Sequence, residues 1–311
     1  MRTANIAVPS PATSSPSLRL PLPVMVAAFC LLWASAFAVA KLAIADCPPL
    51  IVLTARFLLA GVVIFGAAVL FGVRLSLSRR EVLLFALLGI ANQAVYLGLS
   101  YVGIRSTSSG LAALVISANP VLTAVLAVAF LDERMTWRKA MGLLLGVGGV
   151  AFVVESRMAG GVDHPVGIAL LLAALVSLVG GTILYKKFAP SGDGLWVGNG
   201  VQSLAAGLAT LPFAFAFENV CDIVPSWRLA ASLAYLTLFV SIFAYLLWFH
   251  LLNVSGATAA SSYHFVMPPL GLLFGWLLLG EQVALTDLIG IVPVAIGIYL
   301  VTRPARSRKA R

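Results

Sequence analysis

The chain has 311 residues, of which 61% are hydrophobic and 10% charged, with a mean hydropathy of +1.05. Soluble domains carry about a quarter charged residues, so the composition sets aside an ordinary soluble protein and makes lipid the main solvent. A net charge of +9 would raise nucleic acid as a partner in a soluble protein. Here the Lys and Arg residues cluster in loops and at the C-terminus, where they set membrane orientation, and no nucleic-acid partner is expected.

Residues 1–23, rich in Pro, Ser, Ala and Thr, read as a flexible cytosolic tail. The apolar run after them lacks a crisp small-residue cleavage site and is expected to be retained, not removed as a signal peptide. Ten apolar segments come next, at about 24–44, 50–71, 82–103, 109–130, 137–154, 166–186, 195–217, 229–252, 257–279 and 286–302. They are continuous runs of roughly 20 residues and not alternating ten-residue stretches, so helices are predicted in place of a barrel. Turn residues and charges separate them, as at Asp46-Cys47-Pro48-Pro49, Asp132-Glu133-Arg134 and Gly160-Gly161-Val162-Asp163.

Alternate loops are basic. With a cytosolic N-terminus, Arg2, Arg19, Arg74, Arg79, Arg80, Arg134, Arg138, Lys139, Lys186, Lys187 and the C-terminal Arg303, Arg306, Arg308, Lys309 and Arg311 fall inside. Only Lys41, Arg56, Arg105, Arg157 and Arg228 fall outside. That bias predicts both termini cytosolic and an even helix count.

A spaced pattern then recurs. Pro120, Glu133, Gly142 and Gly149 return 148 residues later as Pro268, Glu281, Gly290 and Gly297. The basic residues after Glu133 become Gln282, Thr286 and Asp287 after Glu281, opposite charge dressing for one block. The expected fold is an all-α polytopic membrane protein with ten transmembrane helices in a five-plus-five inverted repeat. The first repeat spans 24–155, an external linker 156–165, the second repeat 166–302, and a basic tail 303–311.

The Trp33-Ala34-Ser35 run, the Arg56-Phe57-Leu58-Leu59-Ala60 run and the paired Pro…Glu…Gly…Gly blocks resemble the drug/metabolite transporter superfamily, in particular its ten-helix EamA-type members. Trp276-Leu277-Leu278-Leu279-Gly280-Glu281 is an especially close match, and the resemblance covers about 24–302. It implies export or exchange of a small metabolite, such as an amino acid, through a central cavity in the bacterial cytoplasmic (inner) membrane. Smaller four-helix relatives carry a Glu inside helix 1; this helix 1 has none.

All eleven acids sit in loops or at helix ends, which argues against a buried carboxylate proton relay. His264, and less so His250, remain as titratable groups near helices 8 and 9. The expected substrate-binding residues are Trp33; Asn92, Gln93 and Tyr96, with Ser100 completing an i, i+4, i+8 stripe; Tyr185; Asn199 and Gln202; Tyr245 and Trp248; Tyr263 and His264. The same residues could instead be interhelical glue. Pro120 and Pro268 are expected inside helices 4 and 9 as hinge or gate positions, each removing a backbone hydrogen bond. Lys41 and Arg56 both read as snorkelling to the interface; Arg56, where the family resemblance also falls, is alternatively an anion site or a structural charge, with Asp46 as a candidate partner. Cys30, Cys47 and Cys221 show no metal spacing, and whether Cys47 and Cys221 pair stays open. No cofactor or metal is expected. The partners expected are a small-molecule substrate and the bilayer; a homodimer is compatible but not implied. A secondary transporter leads, a passive facilitator is second, and a membrane enzyme or a structural membrane protein comes last.

Overall fold

A computed structural model describes residues 21–73, 75–130, 135–159, 161, 163–188 and 194–302. The terminal tails beyond them, Arg2, Arg19, Arg74, Glu133, Arg134 and the C-terminal basic cluster lie outside the described residues, as does the side chain of Lys139. Among the described residues every regular element is helical. The α-helices are α1 Leu22–Ile44, α2 Pro49–Leu70, α3 Arg79–Gly89, α4 Tyr96–Gly103, α5 Ser109–Ser117, α6 Asn119–Phe130, α7 Trp137–Ala159, α8 Pro165–Phe188, α9 Leu195–Phe217, α10 Trp227–Tyr235, α11 Tyr245–Ser262, α12 Met267–Leu279 and α13 Leu285–Thr302. A π-helical stretch, Ile90–Val95, joins α3 to α4, and another, Leu236–Ala244, joins α10 to α11. Among the described residues eight continuous rods are long and apolar enough to cross a membrane, and Met267–Leu279 and Leu285–Gly297 are shorter apolar helices. Val62, Leu83, Leu144, Phe215 and Leu277 face outward and are well exposed, an apolar surface that lipid, not water, solvates.

The chain reverses sharply after Trp248. Trp248 and His264 are in ring contact at 5.1 Å, whereas a straight α-helix of sixteen residues would separate them by about 24 Å. The chain therefore doubles back between them, inside the stretch that α11 and the Tyr263–Val266 turn occupy. A second reversal is at Gly280, whose φ of 66° is left-handed, a conformation glycine adopts without Cβ strain. Gly280 N–H bonds to the Trp276 carbonyl, the 5→1 bond of a left-handed C-cap, and Glu281 N–H reaches the Gly275 carbonyl, which turns the Glu281 side chain back over the helix end.

The prolines are not mid-helix kinks. The fourth apolar segment breaks at Ala118, and Pro120 lies in the first turn of α6; Pro268 lies in the first turn of α12, after the Tyr263–Val266 turn. Proline is tolerated there because first-turn N–H groups have no intrahelical acceptor. Each therefore opens a new helical segment.

The repeated glycines face one another. α7 and α13 cross so closely that a Cβ on Gly297 would stand 2.5 Å from the Gly142 carbonyl oxygen, and one on Gly149 would stand 3.0 Å from that of Gly290. The pairing runs 142 to 297 and 149 to 290, so the two helices are antiparallel.

Candidate functional site

The middle of the bundle is an aromatic box. Phe29 and Trp33, one turn apart on α1, meet Tyr245 and Trp248, nearly one turn apart on α11. Trp33 lies 5.1 Å from Tyr245 and 6.4 Å from Trp248, and Phe29 stacks on Trp248 at 5.3 Å. His264 presents its edge to Trp248 and Trp33. The Tyr245 hydroxyl donates to the Asn92 carbonyl at 3.3 Å. Two small cavities meet at the shared wall of Trp33 and Tyr245. One is lined by Asn92, Asn119, Tyr185, Trp248 and His264, the other by Arg56, Tyr96 and Tyr101. Each leaves about 20 Å³ for water, room for roughly one molecule. Residues from both halves of the sequence line them.

Arg56 is 1% exposed. It lies in the second turn of α2 and is not a snorkelling interface residue. Its Nε donates to Ser241 Oγ and its Nη1 to the Tyr101 hydroxyl, both at 2.7 Å. Asp46 does not reach it; that carboxylate is bound instead by Arg228 and by the Ser226 hydroxyl.

The expected substrate-binding residues divide. Trp33, Asn92, Tyr96, Tyr185, Tyr245, Trp248 and His264 line one cavity or the other. Gln93, Asn199 and Gln202 are fully buried but line neither. Asn199 Nδ2 donates to the Ser241 carbonyl at 3.0 Å, supporting the residue that holds Arg56. Tyr263 packs on the box, and its carbonyl accepts from Cys30 Sγ at 3.3 Å. Phe29, Tyr101 and Asn119 belong to the site although the sequence reading passed over them. Phe29 had a signal, standing one turn before Trp33; Asn119 and Tyr101 adjoin singled-out residues but match no stripe.

One end of the bundle, carrying the loops around Asp46, Thr107, Asp163, Glu218 and Glu281, is densely paired. Arg157 donates to both oxygens of Asp287, at 2.7 and 2.5 Å, to Asp163 at 3.3 Å and to Ser108 Oγ at 2.9 Å. Glu281 accepts from Ser109 N–H at 2.9 and 3.0 Å, from Ser109 Oγ at 2.8 Å and from Lys41 Nζ at 3.0 Å. It thereby caps α5 from a distant loop, at the positive end of the helix dipole. Lys41 is thus a paired cation that also donates to the Thr107 carbonyl at 2.6 Å, contrary to its reading as a snorkelling residue. Burial alone would raise the Glu281 carboxyl; the bonds from Ser109 and Lys41 outweigh it and hold it below the usual range. Arg228 and Ser226 lower Asp46 to about 2. Burial, aided by nearby Glu218, pushes the Cys47 thiol up to about 11. Cys47 is buried, Cys221 exposed, and both are free. Between these loops lies an open vestibule of about 640 Å³ lined by Lys41, Arg105, Arg157 and Glu281.

A family model described as the EamA-like transporter family matches residues 22–155 and again 165–303. An uncharacterized transporter of Archaeoglobus fulgidus is 29% identical, over 87% of this chain and 95% of its own length. A protein of Chlamydia muridarum named S-adenosylmethionine/S-adenosylhomocysteine transporter is 29% identical, over 81% and 82%. The uncharacterized inner membrane transporter YedA of Escherichia coli is 26% identical, over 90% and 91%. One crystal structure superposes with a TM-score of 0.66 at 19% identity, covering 89% of this chain and 94% of the other, which speaks for the fold alone.

Proposed function

This chain belongs to the EamA-like transporter family, and from that premise we propose that it is a secondary transporter, independent of ATP, exporting or exchanging a small polar metabolite by alternating access between two inverted five-helix repeats. The reading has ten spans, both termini in the cytosol, and a bacterial cytoplasmic membrane as its home; the inner-membrane name of one relative agrees. The observation that carries it is the pair of small cavities at the aromatic box, walled by Trp33, Arg56, Asn92 and Tyr96 from the first matched half and Tyr185, Tyr245, Trp248 and His264 from the second. A site between two halves opens to one end or the other as they rock.

Three features support the repeat itself. α7 and α13 cross antiparallel through glycines that the 148-residue offset makes equivalent, so Gly142 meets the equivalent of Gly149 and the reverse. The same offset carries the first π-helical stretch onto the second and the break at Ala118 onto Val266. Equivalent helices that pack head to tail are what an inverted pair requires. The prolines that begin α6 and α12 stand at the equivalent breaks and serve as hinges in this reading.

Reconstituted liposomes provide the test. Radiolabelled amino acids, S-adenosylmethionine and related metabolites should include at least one with saturable flux, measured with and without a pH gradient. A panel with no saturable flux under either condition sinks the transporter reading.

A further inference from the structure

We propose that the transported solute carries an oxyanion, a carboxylate or phosphate, that docks on Arg56, and a flat apolar body that lies against Trp33 and Tyr245. The inference rests on the transporter reading and names the substrate class of its central site.

A guanidinium keeps its proton inside proteins, and an unpaired buried cation is strongly unfavourable. Among the described residues, the two buried arginines are treated differently. Arg157 is enclosed by Asp163 and Asp287. Arg56 has two neutral hydroxyls, Ser241 and Tyr101, and among the described residues no carboxylate. Among those residues no acidic side chain lines either cavity, so the positive charge of Arg56 stands without a counter-ion from them. The two hydroxyls fix the guanidinium plane from Nε and Nη1, and the residue still borders the cavity under Trp33 and Tyr245. That is a preorganised cation awaiting an anion. Geometry supplies the remainder of the solute. The rings of Trp33 and Tyr245 divide the Arg56 cavity from the Asn92 cavity, and Asn92 Oδ1 is buried without a partner. A flat body beside the aromatic wall would place its oxyanion on Arg56 and a donor toward Asn92. With about 20 Å³ free on each side, docking requires the two halves to move apart first.

The full-length protein in detergent, titrated by isothermal calorimetry with indole-3-acetate, phenyl phosphate and tryptamine, tests this. Both anions should saturate and tryptamine should bind at least about tenfold more weakly; the tighter anion identifies carboxylate or phosphate as the natural group. Arg56→Gln should weaken the anions by about ten- to hundredfold. Arg56→Lys, which keeps the charge, should recover part of that loss and guards against a folding defect in the first variant. Tryptamine binding as tightly as the anions, no anion binding at all, or anion affinity unchanged in Arg56→Gln would each overturn the proposal. Saturable liposome flux of neutral or cationic solutes beside such a result would leave the transporter reading standing; loss of all flux would remove both.

Discussion

The acid-rich end and the middle of the bundle handle polarity in opposite ways. At the end, each buried charge has its complement: Arg157 with Asp163 and Asp287, Glu281 with Lys41 and the start of α5, Asp46 with Arg228. In the middle, Arg56 meets two hydroxyls and the face of the Phe57 ring at 5.5 Å and, among the described residues, no carboxylate. There Asn92 Oδ1, both amide atoms of Gln93 and Gln202, Asn199 Oδ1, and the hydroxyls of Ser100, Ser203 and Thr237 are buried without a partner among the described residues. Unmet polar groups in a low-dielectric interior are costly. In the proposed transport reading, those unmet groups are the ones a passing solute would satisfy. In that reading the end is a closed latch between the two matched halves and the middle is a seat.

Variants can break or sharpen that contrast. The largest effect is expected at the latch: Arg157→Met strands Asp163 and Asp287 and should cost about 3–5 kcal/mol of stability, read as a lowered unfolding midpoint in detergent. Adding Asp287→Leu should return part of it, and an Arg157→Met protein as stable as the parent would mean the latch bears no load. Gly280→Ala forces a Cβ into the left-handed turn and should cost about 1–2 kcal/mol in the same assay. At the seat the ordering of readouts reverses. Asn92→Ala should cut flux about tenfold, the loss of one solute hydrogen bond, with the unfolding midpoint nearly unmoved; full flux would take Asn92 out of the site. The smallest effect concerns pH. Because Asp46 is lowered to about 2 in the folded protein, the stability it contributes is complete above the unfolded carboxylate range near about 4 and is lost as pH falls through about 2. The stability difference between the parent and Arg228→Gln should therefore stay flat from about pH 5 to 8, and a slope there would assign the latch to another group.

Much of this was legible because lipid simplifies the code. Continuous apolar runs mark helices, and the apolar segments cut from the sequence overlap the observed rods, apart from the break at Ala118 inside the fourth and the Tyr263–Val266 turn inside the ninth. The 148-residue offset is written in rare residue types, so the contact between Gly142 and Gly297 could be anticipated as a close-packing face, though not its partner. Cavity residues were legible where amide and aromatic side chains shared one helical face, as with Asn92 and Tyr96 or Tyr245 and Trp248. Gln93, Asn199 and Gln202 share such faces yet line neither cavity, because a polar residue on a helix signals an interior neighbour without saying whether it is solvent, solute or another helix. Pairings such as Arg157 with Asp287, 130 residues apart, leave no local trace. Lys41 and Arg56 looked alike as basic residues near helix ends; depth and partners, which only the packed bundle provides, separate them.

The π-helical stretch at Ile90–Val95 has a mechanical consequence. On a regular α-helix Asn92 and Tyr101, nine residues apart, would point to opposite sides. A wide turn absorbs an extra residue and rotates the downstream helix by about 100°, bringing both side chains round toward the same aromatic wall. The stretch at Leu236–Ala244 contains Ser241, which holds Arg56, and leads directly into Tyr245 and Trp248. These two wide turns act as angular shims: they set the phase of the rods independently of their length, so the wall of the seat can be aimed without shortening any span of the bilayer.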